Sequence, residues 1–191
     1  MNLVALKKDT PADLKDFVYS WSRFYSYANE AVYSKAIVKE SYKIQDIQNL
    51  YKWKNGMELS ILKQKSLDHK IIAKLTLINN YKKSDNLNLE AFKRDFQNVS
   101  SVWKIFLLHI IKPKEYPIYD QHIHRAYLFI HDQDWNNIDN TISDKAKQQF
   151  YFENYLPFIK SQNINSIKQL DEAFFAFGQF LKTRNYQSIF K

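Results

Sequence analysis

Glycine is almost absent from this chain. Gly56 and Gly178 are its only occurrences in 191 residues, and proline stands only at Pro11, Pro113, Pro117 and Pro157. The tight hairpins of β proteins lean on glycine for left-handed backbone, and proline interrupts helices. A chain poor in both can run long helices but has few means of making strand turns. Apolar residues recur at helical spacing: Leu14, Phe17, Val18, Trp21, Phe24, Tyr25 and Ala28 already mark one face. The expected fold is therefore all-α. The same scarcity excludes a glycine-rich Rossmann or P-loop nucleotide site.

Composition narrows the class further. The chain is 45% hydrophobic with 14 Phe, 13 Tyr and 4 Trp, ample for one full-sized domain or two small ones and against disorder. There is no cysteine, so disulfides, iron–sulfur clusters and thiolate zinc sites drop out. No stretch reaches the ~20 apolar residues that cross a bilayer. The opening residues hold too short an apolar run for a signal peptide. A cytoplasmic location without membrane contact is the expectation. The formal net charge of +8 makes nucleic acid the first partner to consider. A lysine- and asparagine-rich composition explains the same charge with no partner. Nothing implies an obligate protein partner or a cofactor.

Taken in order, Thr10-Pro11-Ala12-Asp13 opens the first long helix. Asp46 is expected to cap a helix that Asn55-Gly56 ends, with Gly56 left-handed. Ser60 to Lys82 is helical, broken near Ser66 to Asp68, and Asn88 starts a short helix. Ser100 or Ser101 caps the nearly all-apolar helix Val102 to Ile111, which should be buried on most sides. On it, His109 reads as a core histidine, while Lys104 is either exposed or placed to meet an anion. His131 to Asp139 is a polar loop carrying Trp135. Ser143 caps a helix that Pro157 kinks or interrupts. Asn165 or Ser166 caps the last helix, where Gly178 implies close packing.

The most informative stretch is Tyr116 to Tyr127. Pro117 forces an extended approach, and Asp120 stands where a helix begins. Ile123, Ala126, Tyr127 and Ile130 form its buried stripe. Asp120 is either an ordinary cap or a carboxylate that the helix dipole keeps charged and aimed at a substrate. His124, one turn on, is placed to hydrogen-bond and orient it. A second cluster, Tyr51, Trp53, Lys54 and Asn55, lies at a helix end. Its aromatics can stack on a base, or Tyr51 and Trp53 can simply pack inward. His122, His124 and His131 have no conventional metal-ligand spacing, so no metal is expected.

The segment Ser100 to Tyr127 resembles the helix-hairpin-helix family of DNA glycosylases. In that family an aspartate opens a helix after a short extended link, with proline three residues before it and arginine five after. Pro117, Ile118, Asp120, His122, Ile123, Arg125 and Ala126 match this neighbourhood. The departure is the hairpin. The family's is glycine-rich and grips a DNA phosphate, whereas Phe96 to Ser101 here contains no glycine. Strand-cutting members carry a lysine just after the hairpin. That position falls near Ser100 or Ser101, with Lys104 a few residues later, so a monofunctional enzyme is implied.

The resemblance implies one helical domain over residues 1–191, possessing two lobes and a cleft that holds Asp120. It implies a DNA glycosylase in which Asp120 stabilises the oxocarbenium-like transition state and water attacks. A flipped base needs an aromatic pocket, for which Trp53, Tyr51, Asn55, Trp103 and Tyr116 are the candidates. Ser100, Ser101, Lys104, Lys112, Lys114 and Arg125 are the candidates for phosphate contact. By analogy alone, the degenerate hairpin suggests a divergent branch acting on modified bases of foreign DNA, such as phage DNA. The alternatives are an inactive nucleic-acid-binding protein of the same fold and a helical interaction module.

Overall fold

The computed structural model describes residues 14–131, 142–162 and 166–184. The expected helix start at Thr10, Trp135 and the possible cap Asn165 lie outside them. The described residues are helical, with no strand among them. The chain forms two compact units. One comprises residues 1–26 and 117–191, and the other residues 27–116.

Helix α1 (Leu14–Ser22) belongs to the first unit. The second unit holds α2 (Glu30–Ile37), α3 (Ile44–Asn55), α4 (Ile61–Lys70), α5 (Leu75–Lys83), α6 (Leu89–Asp95) and α7 (Ser101–Ile111). Gly56 ends α3 at φ +74, as its place after Asn55 predicts. Asp46 is not the N-cap of α3. It is the third helical residue and accepts from the Lys43 N–H at 2.8 Å, because the helix begins two residues earlier. The break in the following segment falls at Ile71, not near Ser66, with a short 3₁₀ turn over Ile72–Lys74.

Helix α7 is the centre of the second unit. Ser101 and Lys104 to Ile111 are all buried. Its polar groups are matched by long-range partners. Tyr51 Oη donates to the Trp103 carbonyl at 3.0 Å. Tyr42 Oη and Lys82 Nζ both donate to the Ile110 carbonyl, at 2.7 and 2.9 Å. Burial, with Lys112 nearby, brings Lys82 down to about 8. His109 lies between the Tyr116 carbonyl, 2.7 Å from Nδ1, and Tyr33 Oη, 2.8 Å from Nε2. A carbonyl only accepts, so the proton sits on Nδ1 and Tyr33 donates to Nε2. This is a satisfied core histidine.

The chain then returns to the first unit with α8 (Gln121–Ile130), α9 (Asp144–Phe150), a π-helical turn (Tyr151–Tyr155), α10 (Leu156–Ser161) and α11 (Ile167–Lys182). Ser143 and Ser166 are the N-caps of α9 and α11, accepting from Ala146 and Gln169. Pro157 has no N–H to donate, and the widened π turn lies just ahead of it. Helix α11 is the core of this unit and packs against α1 and α8. Phe17 meets Phe174 and Phe177 edge-on, and Trp21 meets Phe177 and Phe180. Each such aromatic, once buried, contributes about 2 kcal/mol.

At Gly178, α11 touches the backbone of α8 directly. A Cβ there would lie 2.0 Å from the His122 carbonyl oxygen and 2.8 Å from its Cα. Neither backbone can yield without moving a helix. Gly178→Ala is therefore expected to cost about 3 kcal/mol in denaturant unfolding. Gly56→Ala, which meets only Tyr27 Oη at 3.2 Å, is expected to cost about 1–2 kcal/mol, mostly from the left-handed backbone. Equal losses at the two positions would contradict this account.

Candidate functional site

Asp120 is the N-cap of α8, on extended backbone at φ −155 and ψ −177. Its Oδ1 accepts from the N–H groups of His122 at 2.8 Å and Ile123 at 3.0 Å. These donors and the helix dipole favour negative charge at this point. The carboxylate is half-buried, flanked by buried Tyr119 and half-buried His122. Burial first, then Asp120 and Asp144, raise Tyr119 above the ordinary tyrosine range, so its hydroxyl stays protonated.

The extended link Pro117 to Asp120 is anchored by two side chains from later in the chain, one of them held in turn by a third. Tyr151 Oη donates to the Pro117 carbonyl at 2.9 Å. Asp171, only 4% exposed, accepts from the Ile118 N–H at 2.9 Å and from Tyr155 Oη at 3.3 Å. Burial, then Asp171, pushes the Tyr155 phenol well up, which keeps it a donor. Sequence reasoning missed Asp171, Tyr151 and Tyr155. Asp171 had a signal: it is an acid on the stripe Phe174, Gly178, Leu181, where a solvated charge has no place.

Several expected roles are corrected by burial. His124 does not orient Asp120. Its Nδ1 lies 3.3 Å from Tyr119 Oη and its ring packs edge-on to Phe150 at 4.2 Å, so it faces the core of the unit. Arg125 is 6% exposed, with Nη1 donating to His122 Nδ1 at 3.2 Å. Lys104 is 5% exposed and Ser101 fully buried, because α7 is enclosed on nearly every side. As folded, none of these three presents a surface to phosphate. Lys112 donates to the carbonyls of Lys82 and Ser84. Ser100, which makes no side-chain cap bond, and Lys114 remain exposed.

Three of the four aromatic candidates are core residues of the second unit. Tyr51 is fully buried and meets Trp103 and Phe106 edge-on. Trp53 is 7% exposed and stacks on Tyr33 with ring centres 4.4 Å apart. Tyr116 is 6% exposed, and Trp103 is half-buried. The Asn55 amide closes the turn after α3, donating to the Met57 and Glu58 carbonyls and accepting from Lys63 Nζ. Both Tyr51 and Trp53 thus pack inward.

Between α6 and α7 the turn Phe96 to Ser100 does without glycine. Val99 N–H donates to the Phe96 carbonyl at 3.0 Å, and no residue of the turn has positive φ. A left-handed glycine is therefore unnecessary there. Among the described residues no three His, Asp or Glu side chains gather as a metal would require. No helix among them is long and apolar enough to cross a membrane. Comparison with protein-family models, curated proteins and solved structures returns no match.

Two outcomes follow from this geometry. Asparagine caps as well as aspartate, so Asp120→Asn should leave stability nearly unchanged, whereas Asp120→Ala should cost about 1 kcal/mol. Denaturant titrations of the two variants measure this directly.

The second outcome concerns pH. Burial, with Arg125 and Lys147 nearby, holds His124 down to about 4, below its ordinary 6.5. Burial also lowers His122. The unfolded chain protonates His124 first as the pH falls, so its stabilising effect is complete above about 6.5 and lost toward 4. The loss amounts to at most about 3 kcal/mol. The unfolding midpoint should drop between neutral pH and the low end of that window. In His124→Gln the drop should shrink. An unchanged slope would remove His124 from the account.

Proposed function

We propose that this chain is a monofunctional DNA glycosylase in which Asp120 assists cleavage of the N-glycosidic bond of an unstacked base. As the base departs, positive charge develops on the sugar, and a fixed carboxylate stabilises that charge and orients the attacking water. The observation that carries the reading is the Asp120 arrangement. An extended link anchored by Tyr151 and Asp171 delivers a carboxylate to a helix N-terminus, where two N–H groups hold Oδ1. The net charge of +8 supports a polyanionic partner. Water rather than a lysine amine is the proposed nucleophile, and the burial of Lys104 supports that choice.

The second reading is a nucleic-acid-binding protein without base release. It is favoured by one observation: Oδ1 of Asp120 is engaged as any capping carboxylate would be. Incubating the protein with DNAs that carry damaged, mismatched and phage-type modified bases, then revealing abasic sites with alkali, separates the two. The glycosylase reading expects release of at least one base by the native chain and a loss of at least about 100-fold in Asp120→Asn. Release that survives Asp120→Asn would discard the role of Asp120. Absence of release alongside salt-sensitive DNA binding would select the second reading.

A further inference from the structure

The peptide unit that joins Pro117 to Ile118 is held at both ends. Its carbonyl accepts from Tyr151 Oη at 2.9 Å, and its N–H donates to Asp171 Oδ2 at 2.9 Å. The unit is trans, so these two groups point to opposite sides of the chain and their partners grip it from opposite sides. Both partners come from the interior: Tyr151 is fully buried and Asp171 is 4% exposed. Asp171 Oδ1 accepts in addition from Tyr155 Oη at 3.3 Å. Tyr151 and Tyr155 bound the π-helical turn, a departure from α geometry that recurs at functional sites.

A grip of this kind fixes the plane of one peptide. Ile118 and Tyr119, both buried, are all that separates that peptide from Asp120 along the chain. Beyond it, the His122 and Ile123 N–H groups hold Asp120 Oδ1. The carboxylate is thus aimed by the start of α8 and placed by the peptide ahead of it. A buried charge such as Asp171 adds little stability over an apolar residue of the same shape, and its better attested use is to select one arrangement. A reacting group needs that selection, since a displacement of about 1 Å can lower a rate by about 100-fold.

We propose that Tyr151 and Asp171 are positioning residues: by gripping the Pro117–Ile118 peptide they set where the Asp120 carboxylate stands against the sugar of the unstacked nucleotide. The chemistry rests on the glycosylase reading, while the placing of Asp120 is measurable without DNA.

The variants are Tyr151→Phe, which keeps the ring and removes the donor, and Asp171→Leu, which keeps the branched shape and removes the acceptors. Asp171→Asn is the conservative control. Its oxygen can still accept from Ile118 and its amide can donate to the Tyr155 phenol oxygen. The first measurement is amide hydrogen exchange of the free protein. His122 and Ile123 should exchange at least about tenfold faster in Tyr151→Phe and Asp171→Leu, relative to the middle of α11, and stay near the native rate in Asp171→Asn. The second is base release from the DNA on which the native chain acts. The first two variants should lose at least about 100-fold in kcat with KM unchanged, and Asp171→Asn should recover most of that loss. Where Asp171→Leu does not fold, Tyr151→Phe decides. Exchange that rises equally at His122 and in α11 marks a purely structural role and overturns the proposal. Exchange that stays native overturns it too, as does a change confined to KM. If the native chain releases no base, the glycosylase reading falls and the exchange rates alone decide whether the grip places Asp120.

Discussion

The first unit depends on one close approach. Helix α11 can reach the opening turn of α8 only because residue 178 lacks a side chain, which lets it rest on the His122 backbone. The same helix carries Asp171, whose carboxylate receives the Ile118 N–H and the Tyr155 hydroxyl. One element thus fixes the start of α8 from two directions, by contact and by hydrogen bond. Asp120 lies between these two anchor points in the chain, so its position follows from α11. Hydrogen bonds to a buried carboxylate are worth roughly 1.5–3 kcal/mol each, and removing a donor leaves an uncompensated charge. The arrangement is consequently rigid where a reacting carboxylate would need rigidity.

In the second unit the governing constraint is the burial of α7. A helix enclosed on nearly all sides must have its polar groups met from elsewhere. Tyr42, Tyr51, Lys82 and the Tyr33–His109–Tyr116 chain do this. Three of the unit's tyrosines and Lys82 are consumed in the process. That is why residues whose composition resembles a binding surface turn out to be core.

Local features were legible in the sequence wherever a short-range rule governs them. Gly56 stops α3, Ser143 and Ser166 cap their helices, Asp120 opens α8, and a π turn stands just ahead of Pro157. His109 and Gly178 behave as their neighbours imply. Lys104 and Arg125 do not, because a charged residue on a helix is exposed unless distant segments close over it. His124 stands one turn from Asp120, yet its ring turns toward Tyr119 and Phe150, which no local spacing reveals. The division into two units has no linker signature either. The chain crosses at Ser26 to Tyr27 and at Tyr116 to Pro117 with no run of glycine or serine.

The sequence by itself determined the helical class, several helix ends and the placing of Asp120 before a helix, since these rest on dihedral limits and on hydrogen bonds spanning three or four residues. Tertiary structure decided which charges are buried, which side chains hold the Pro117–Asp120 link, and that residues 1–26 join residues 117–191 as one unit. These outcomes depend on contacts between residues far apart in the chain. Tyr151 is 34 residues from Pro117 and Asp171 is 53 from Ile118, and no local pattern encodes such distances.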